Sequence, residues 1–226
     1  MSEGFSDAGI RYADGVIQLN MTDLTSAGFG TPWGQTRNWT NGPGYINGSL
    51  LGNNVIASQM PTLQQANNGG TLILLTSGTN VRFFDFSGGA YTERLFLQDK
   101  LVQNTTTHDF TLVDNSGKVL KLYDFSTSNP TLQQGTFESL TDQYGNVTSV
   151  TSHTADGKIA EVQSSYTVGS TTITDSYLFT YLASGVNQKL SAKRHPAPQG
   201  QRRRLDNDTS SGLRVLRWGA IFRQST

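Results

Sequence analysis

Three short segments, Asp114-Asn115-Ser116-Gly117, Asp142-Gln143-Tyr144-Gly145 and Ala155-Asp156-Gly157-Lys158, each set an aspartate ahead of a glycine between stretches that alternate apolar and polar residues. The carboxylate accepts backbone N–H groups and the glycine supplies a left-handed residue, which is what a β-hairpin turn demands. Punctuation of this kind every ~8–12 residues, without a helical period, specifies consecutive antiparallel hairpins. Strands are expected over residues 15–24, 54–58, 71–76, 81–86, 94–98, 110–113, 119–123, 147–152, 159–163, 165–168 and 177–181. Only residues 63–66 and 93–101 carry a pattern that a helix could use. The expected fold class is all-β.

Composition agrees and excludes several functions. Ser, Thr, Asn and Gln number 80 of 226 residues, and charged residues make up only 15%. The absence of Cys removes disulfides and thiolate chemistry. His108, His153 and His195 lie far apart and form no histidine pair with zinc-binding spacing. No apolar run approaches the ~18 residues of a membrane helix, so no membrane insertion is expected. The opening MSEGFSDAGIRYADG has neither the basic nor the apolar region of a signal peptide.

The net charge of zero, which argues against nucleic acid as a partner, conceals a split. Residues 1–190 hold 9 basic and 15 acidic residues, a balance of −6, whereas residues 191–226 hold 8 and 2, a balance of +6. Two segments are expected: a β domain over 1–192 and a basic, disordered tail over 193–226. The tail reads best as a shifted frame. One permitted coding of residues 205–219, LDNDTSSGLRVLRWG, gives W-T-T-I-R-Q-A-V-Y-E-Y-Y-G when read one base later, an aromatic β pattern like that of the body.

No G-x-S-x-G elbow is present, and Ser49, Ser77, Ser87 and Ser116 sit in turn-like contexts. His108-Asp109 and His153 with Asp156 are the His–carboxylate neighbours, and His153 and Asp156, at one hairpin tip, are the candidate catalytic groups. The remaining metal ligands are hard oxygens, which suit calcium. Asp114, Asn115, Asp142, Asn146 and Asp156 are its candidate ligands if their turns converge at one sheet edge; otherwise each Asp merely closes its own turn. Bound calcium would polarise the carbonyl of a small ester or lactone, such as an acyl-homoserine lactone, for attack by water. Trp33, Trp39 and Tyr45 form either a sugar-stacking platform or, more simply, a packed cover over a glycine-rich turn. Asn38-Trp39-Thr40, Asn47-Gly48-Ser49, Asn104-Thr105-Thr106 and Asn146-Val147-Thr148 match the glycosylation tripeptide, as a chain rich in Asn and Thr will do incidentally.

The run Leu140-Thr141-Asp142-Gln143-Tyr144-Gly145-Asn146-Val147-Thr148-Ser149-Val150 resembles the YD-repeat of the RHS family, whose units centre on D-x-x-G followed by Asn or Arg and a strand. Asp114-Asn115-Ser116-Gly117-Lys118-Val119 and Ala155-Asp156-Gly157-Lys158-Ile159 are looser copies. Phe84-Asp85-Phe86 and Tyr123-Asp124-Phe125 resemble the aromatic-Asp element of the same repeat, and RYADGVIQL…GFGTPWGQTRNWTN is similar to segments preceding it. The resemblance covers about residues 8–190 and implies a sheet of YD-type hairpins, curved or wound into a partial shell, from a large exported or cell-surface bacterial protein. The chain is too short to close such a shell and lacks the self-cleavage segment, so it looks like a fragment with edge strands available for self-association or sheet-edge pairing. The leading expectation is a structural or interaction protein, and the alternative is the calcium-dependent ester or lactone hydrolase.

Overall fold

A computed structural model describes residues 9–11, 15–25, 33–42, 54–77, 80–95, 99–181 and 190–196. The protein is all-β, as the turn spacing predicts. Three strands, β1 (Gln18–Thr25), β2 (Gly34–Thr40) and β3 (Val55–Ala57), form a small antiparallel sheet. Twelve more form a second sheet: β4 (Thr62–Ala66), β5 (Thr71–Leu75), β6 (Val81–Ser87), β7 (Ala90–Glu93), β8 (Lys100–Asn104), β9 (Asp109–Val113), β10 (Val119–Tyr123), β11 (Phe137–Thr141), β12 (Val147–His153), β13 (Ile159–Val168), β14 (Thr171–Tyr181) and β15 (Leu190–Pro196). Each strand of this sheet pairs antiparallel with its successor in the chain, so spatial order repeats sequence order. The sheet is open, with β4 and β15 at its edges.

Alternation decides which face is inward. In β10, Leu120 and Leu122 are buried while Lys121 and Tyr123 face the other way. Leu120 lies opposite Leu112 and Leu140, and Leu122 opposite Phe110 and Phe137, so the inward rows of three strands merge into one core. Full burial of a side chain such as Leu122 is worth about 1.5–3 kcal/mol. The small sheet covers this face. Trp33, 3% exposed, packs its ring 5.4 Å from that of Phe137 and 6.3 Å from that of Tyr177.

The large sheet also curls. β4 lies six strands from β10, a flat separation of about 29 Å at the usual strand spacing. Yet the Leu63 N–H of β4 donates to the carbonyl of Gly135, in the connection that follows β10, at 2.7 Å. Only glycine fits there: at φ +70° a Cβ on residue 135 would stand 2.3 Å from the Leu63 carbonyl oxygen.

Several elements differ from the sequence expectations. Residues 63–66, one of the two candidate helices, lie in strand β4; of the other candidate, 93–101, residue 93 ends β7 and residues 100 and 101 open β8. In the expected strand at 94–98, Arg94 and Leu95 lie in a turn and the rest falls outside the described residues. The two strands expected at 159–163 and 165–168 are one continuous β13. The boundary placed at residue 192 falls inside β15, whose residues 193, 194 and 195 pair with Leu178, Tyr177 and Ser176; residues 197–226 lie outside the described residues.

Candidate functional site

The hairpin turns share one bonding plan. In the turn at 114–118, the Asp114 N–H donates to the Lys118 carbonyl and the Gly117 N–H donates back to the Asp114 carbonyl. Asp142, Gly145 and Asn146 repeat this arrangement, as do Thr154, Gly157 and Lys158. Each glycine adopts a left-handed φ, at 83°, 82° and 91° respectively, which an L side chain resists. Asp114 Oδ1 accepts the N–H groups of Ser116 and Lys118, both at 2.9 Å, and the Ser116 hydroxyl at 2.7 Å. Asp142 Oδ1 accepts the N–H groups of Tyr144 (2.8 Å) and Asn146 (2.9 Å), while Oδ2 accepts Asn146 Nδ2 at 2.8 Å. The third copy is shifted relative to its sequence reading. Thr154, not Asp156, takes the first position and accepts the Lys158 N–H at 3.0 Å. Asp156 instead binds the Thr154 hydroxyl and Lys158 Nζ (2.8 Å).

These contacts dispose of the expected convergence. Successive hairpins of an antiparallel meander turn at alternate ends, so the turn after β12, with Asp156, lies at the opposite end from those after β9 and β11. The turns holding Asp114 and Asn115 and holding Asp142 and Asn146 share an end but stand two strands apart, about 10 Å. Calcium needs six to eight oxygens at about 2.3–2.6 Å. The five candidates do not fit it as a set, and among the described residues no group of three or more His, Cys, Asp or Glu side chains could hold a metal ion. Burial pushes the Asp114 carboxyl up, but its bonds to Ser116 and Lys118 outweigh this and hold it below the usual range. Lys158 first, then Thr154, hold Asp156 down likewise.

His153 ends β12, but it does not pair with Asp156. Its ring meets Tyr123 edge-on at 5.4 Å, its Nε2 is buried without a hydrogen-bond partner, and burial lowers its basicity. Tyr123 has its own neighbour in Glu138. A register shift between Lys121 and Leu122 leaves Glu138 as the extra residue of a bulge in β11, with Oε2 buried and unpartnered. Burial and the proximity of Asp109 raise the Glu138 carboxyl above its ordinary value, against the opposing pull of Lys121. The Tyr123 phenol is pushed up to about 12, by burial and then by Glu138, despite a hydrogen bond with Gln133. Glu138→Gln is therefore expected to stabilise the fold at neutral pH. Above pH 4.5 the unfolded carboxyl ionises before the folded one, so the wild type loses stability relative to the variant until pH passes the folded value. Urea titrations from pH 4 to 8 measure the gap; a gap that stays constant with pH would show that Glu138 ionises freely.

His108 and Asp109 are neighbours in sequence that part company in space. Asp109 accepts the hydroxyls of Thr107 (2.6 Å) and Thr111 (3.2 Å) and Lys121 Nζ (3.1 Å). His108 instead faces Ser126, with Nδ1 3.2 Å from the hydroxyl, and Asp124, with Nδ1 3.9 Å from Oδ2. Sequence reasoning missed this Ser-His-Asp group, whose members are brought together by the β8–β9 turn and the β10–β11 connection. The only local signal was Asp124 two residues before Ser126, the spacing of an Asx-turn.

The group is not a nucleophilic triad. A triad needs serine on one ring nitrogen and the carboxylate on the other. Here both face Nδ1, and the Ser126 hydroxyl donates to Asp124 Oδ1 at 2.6 Å. Asp124 also accepts the Ser126 N–H (3.0 Å), Asn129 Nδ2 (2.9 Å) and Gln103 Nε2 (3.2 Å), so it is a hub that ties the connection to β8. Asp85, the other aromatic-Asp carboxylate, works differently. It is an exposed partner of Arg94 (2.7 Å) that also accepts the Thr71 hydroxyl, and these bonds lower it to about 2.

The aromatic candidates also separate. Trp33 is core, closed to any sugar, and Trp39 lies within β2 opposite Leu19 and Val55, so the expected glycine-rich turn is in part a strand. Tyr45 lies outside the described residues. No protein-family model matches the chain, and no curated protein is significantly similar to it.

Proposed function

We propose that the chain is a structural or interaction protein of RHS/YD-repeat type, a curved sheet extended one hairpin at a time and belonging to a larger exported or surface assembly. The observation that carries this reading is the common bonding plan of the turns after β9, β11 and β12, which spends the first side chain of each on closing its own hairpin. Carboxylates so engaged serve architecture at no cost, whereas catalysis would have to break the turn to free them. Association through sheet edges follows from the same reading. The β4 edge has a donor capped by Gly135, and among the described residues β15 is the other edge of the large sheet, the one we propose for a further strand. No described helix is long and apolar enough to cross a membrane.

The experiment sets this reading against the calcium-dependent hydrolase. Purified protein is assayed on a panel of esters and lactones, an acyl-homoserine lactone among them, with calcium and then with chelator, while its melting is followed in both. No turnover and an unchanged melting midpoint are expected. Calcium-dependent turnover that disappears in Asp142→Ala would overturn the structural reading.

A further inference from the structure

Six tripeptides match the glycosylation pattern, and four of them, beginning at Asn20, Asn38, Asn104 and Asn146, fall on described residues. The fold treats those four very differently. Asn20 and Thr22 are exposed but lie mid-strand in β1, held extended opposite Asn38 and Thr36 of β2 rather than in a turn. Asn38 is 5% exposed within β2, and its Nδ2 donates to the Ser58 hydroxyl at 2.5 Å and to the Ile56 carbonyl at 3.4 Å. Its hydroxyl residue, Thr40, is fully buried. Asn146 gives its Nδ2 to Asp142, and Thr148 is buried against Ser164 at 2.9 Å. In both cases the nitrogen that must react is already bound and the hydroxyl that must be read is hidden.

Asn104 is the reverse. It is the last residue of β8, and Asn104, Thr105 and Thr106 are all exposed in the turn leading to β9. Its Oδ1 accepts the N–H groups of Thr106 at 3.0 Å and Thr107 at 3.2 Å, while its Nδ2 makes no hydrogen bond. This Asx-turn fixes the carboxamide against the hydroxyl residue two places on. Two donors on the oxygen also draw electron density from the nitrogen and make its protons more acidic.

We propose that Asn104 is an acceptor for N-linked glycosylation from a lipid-linked oligosaccharide. The Asn104 Nδ2 attacks the anomeric carbon of the donor sugar and loses a proton as the nitrogen–carbon bond forms. The carbon–oxygen bond to the lipid diphosphate breaks, and the diphosphate leaves with the electron pair. The glycan would stand beside His108 at the end of the sheet that carries the β10–β11 connection, leaving the turns of Asp114 and Asp142 uncovered.

The test treats the folded, purified chain with an oligosaccharyltransferase and its lipid-linked donor, alongside a standard acceptor peptide that fixes enzyme activity. Peptide mass mapping is expected to place glycan on Asn104, with Asn38 and Asn146 modified only after unfolding in urea. Glycan on the Asn104 peptide is expected to vanish in Asn104→Gln and in Thr106→Ala and to return in Thr106→Ser, all with an unchanged circular dichroism spectrum. An unmodified Asn104 in the folded chain, or equal modification of Asn38 or Asn146, overturns the assignment.

Discussion

Asp124→Ala is expected to lower stability by about 3 kcal/mol, because it strands several donors at once. The carboxylate is 1% exposed and accepts the Ser126 N–H and hydroxyl, Asn129 Nδ2 and Gln103 Nε2. Stranding a buried donor costs about 1–3 kcal/mol, although donors near the surface recover part of this from water. The substitution also frees the connection whose Gly135 holds β4. Burial pushes the Asp124 carboxyl up, but Ser126, Gln103 and His108 together hold it below its ordinary 3.8. Its contribution is therefore complete above pH 3.8 and is lost as pH falls through the depressed folded value. Urea denaturation at neutral and acid pH measures both effects. A cost below about 1 kcal/mol would show that the connection is not anchored through this side chain.

Trp33→Ala is expected to cost about 3–5 kcal/mol, the usual range for removing a buried large aromatic. The ring sits between Phe137 and Tyr177, and the Tyr177 hydroxyl donates to the Trp33 carbonyl at 3.4 Å. Truncation should loosen the small sheet from the large one, so near-ultraviolet dichroism should fall more than the far-ultraviolet β signal. Trp39→Ala, at a half-buried position within β2, should cost much less. Equal costs would mean that Trp33 does not join the two sheets.

The elements that could be read from sequence are those whose cause is local. Residues 119–123 set Leu120 and Leu122 on either side of Lys121 and became β10, and the turns at 114–118 and 142–146 each carry their Asp and Gly within four residues. β2, with sequence GQTRNWT, shows no apolar alternation because its burial is contributed by Gln35, Asn38 and Thr40. β4 has one buried leucine among its five residues, and its extended form is imposed by β5 and Gly135, remote in sequence. The polar clusters were illegible for the same reason. Gln103 and Asp124 lie 21 residues apart and His108 and Ser126 lie 18 apart, so strand register alone brings them together. The calcium set failed on topology, since counting aspartates in turns ignores which end of the sheet each turn occupies.

The strictly sequential order of the large sheet has a consequence for how the chain acquires its structure. Each hairpin needs only its predecessor as a template, so β4 onward can assemble from the amino-terminal side as it leaves the ribosome. The segment that precedes β4 cannot follow that schedule. Trp33 rests on Phe137 and Tyr177, more than a hundred residues downstream, so β1–β3 must wait until β14 is made before they find their place. For these strands chain order and docking order are thus reversed, and sequestration of Trp33 from solvent should be the slowest optical event of refolding.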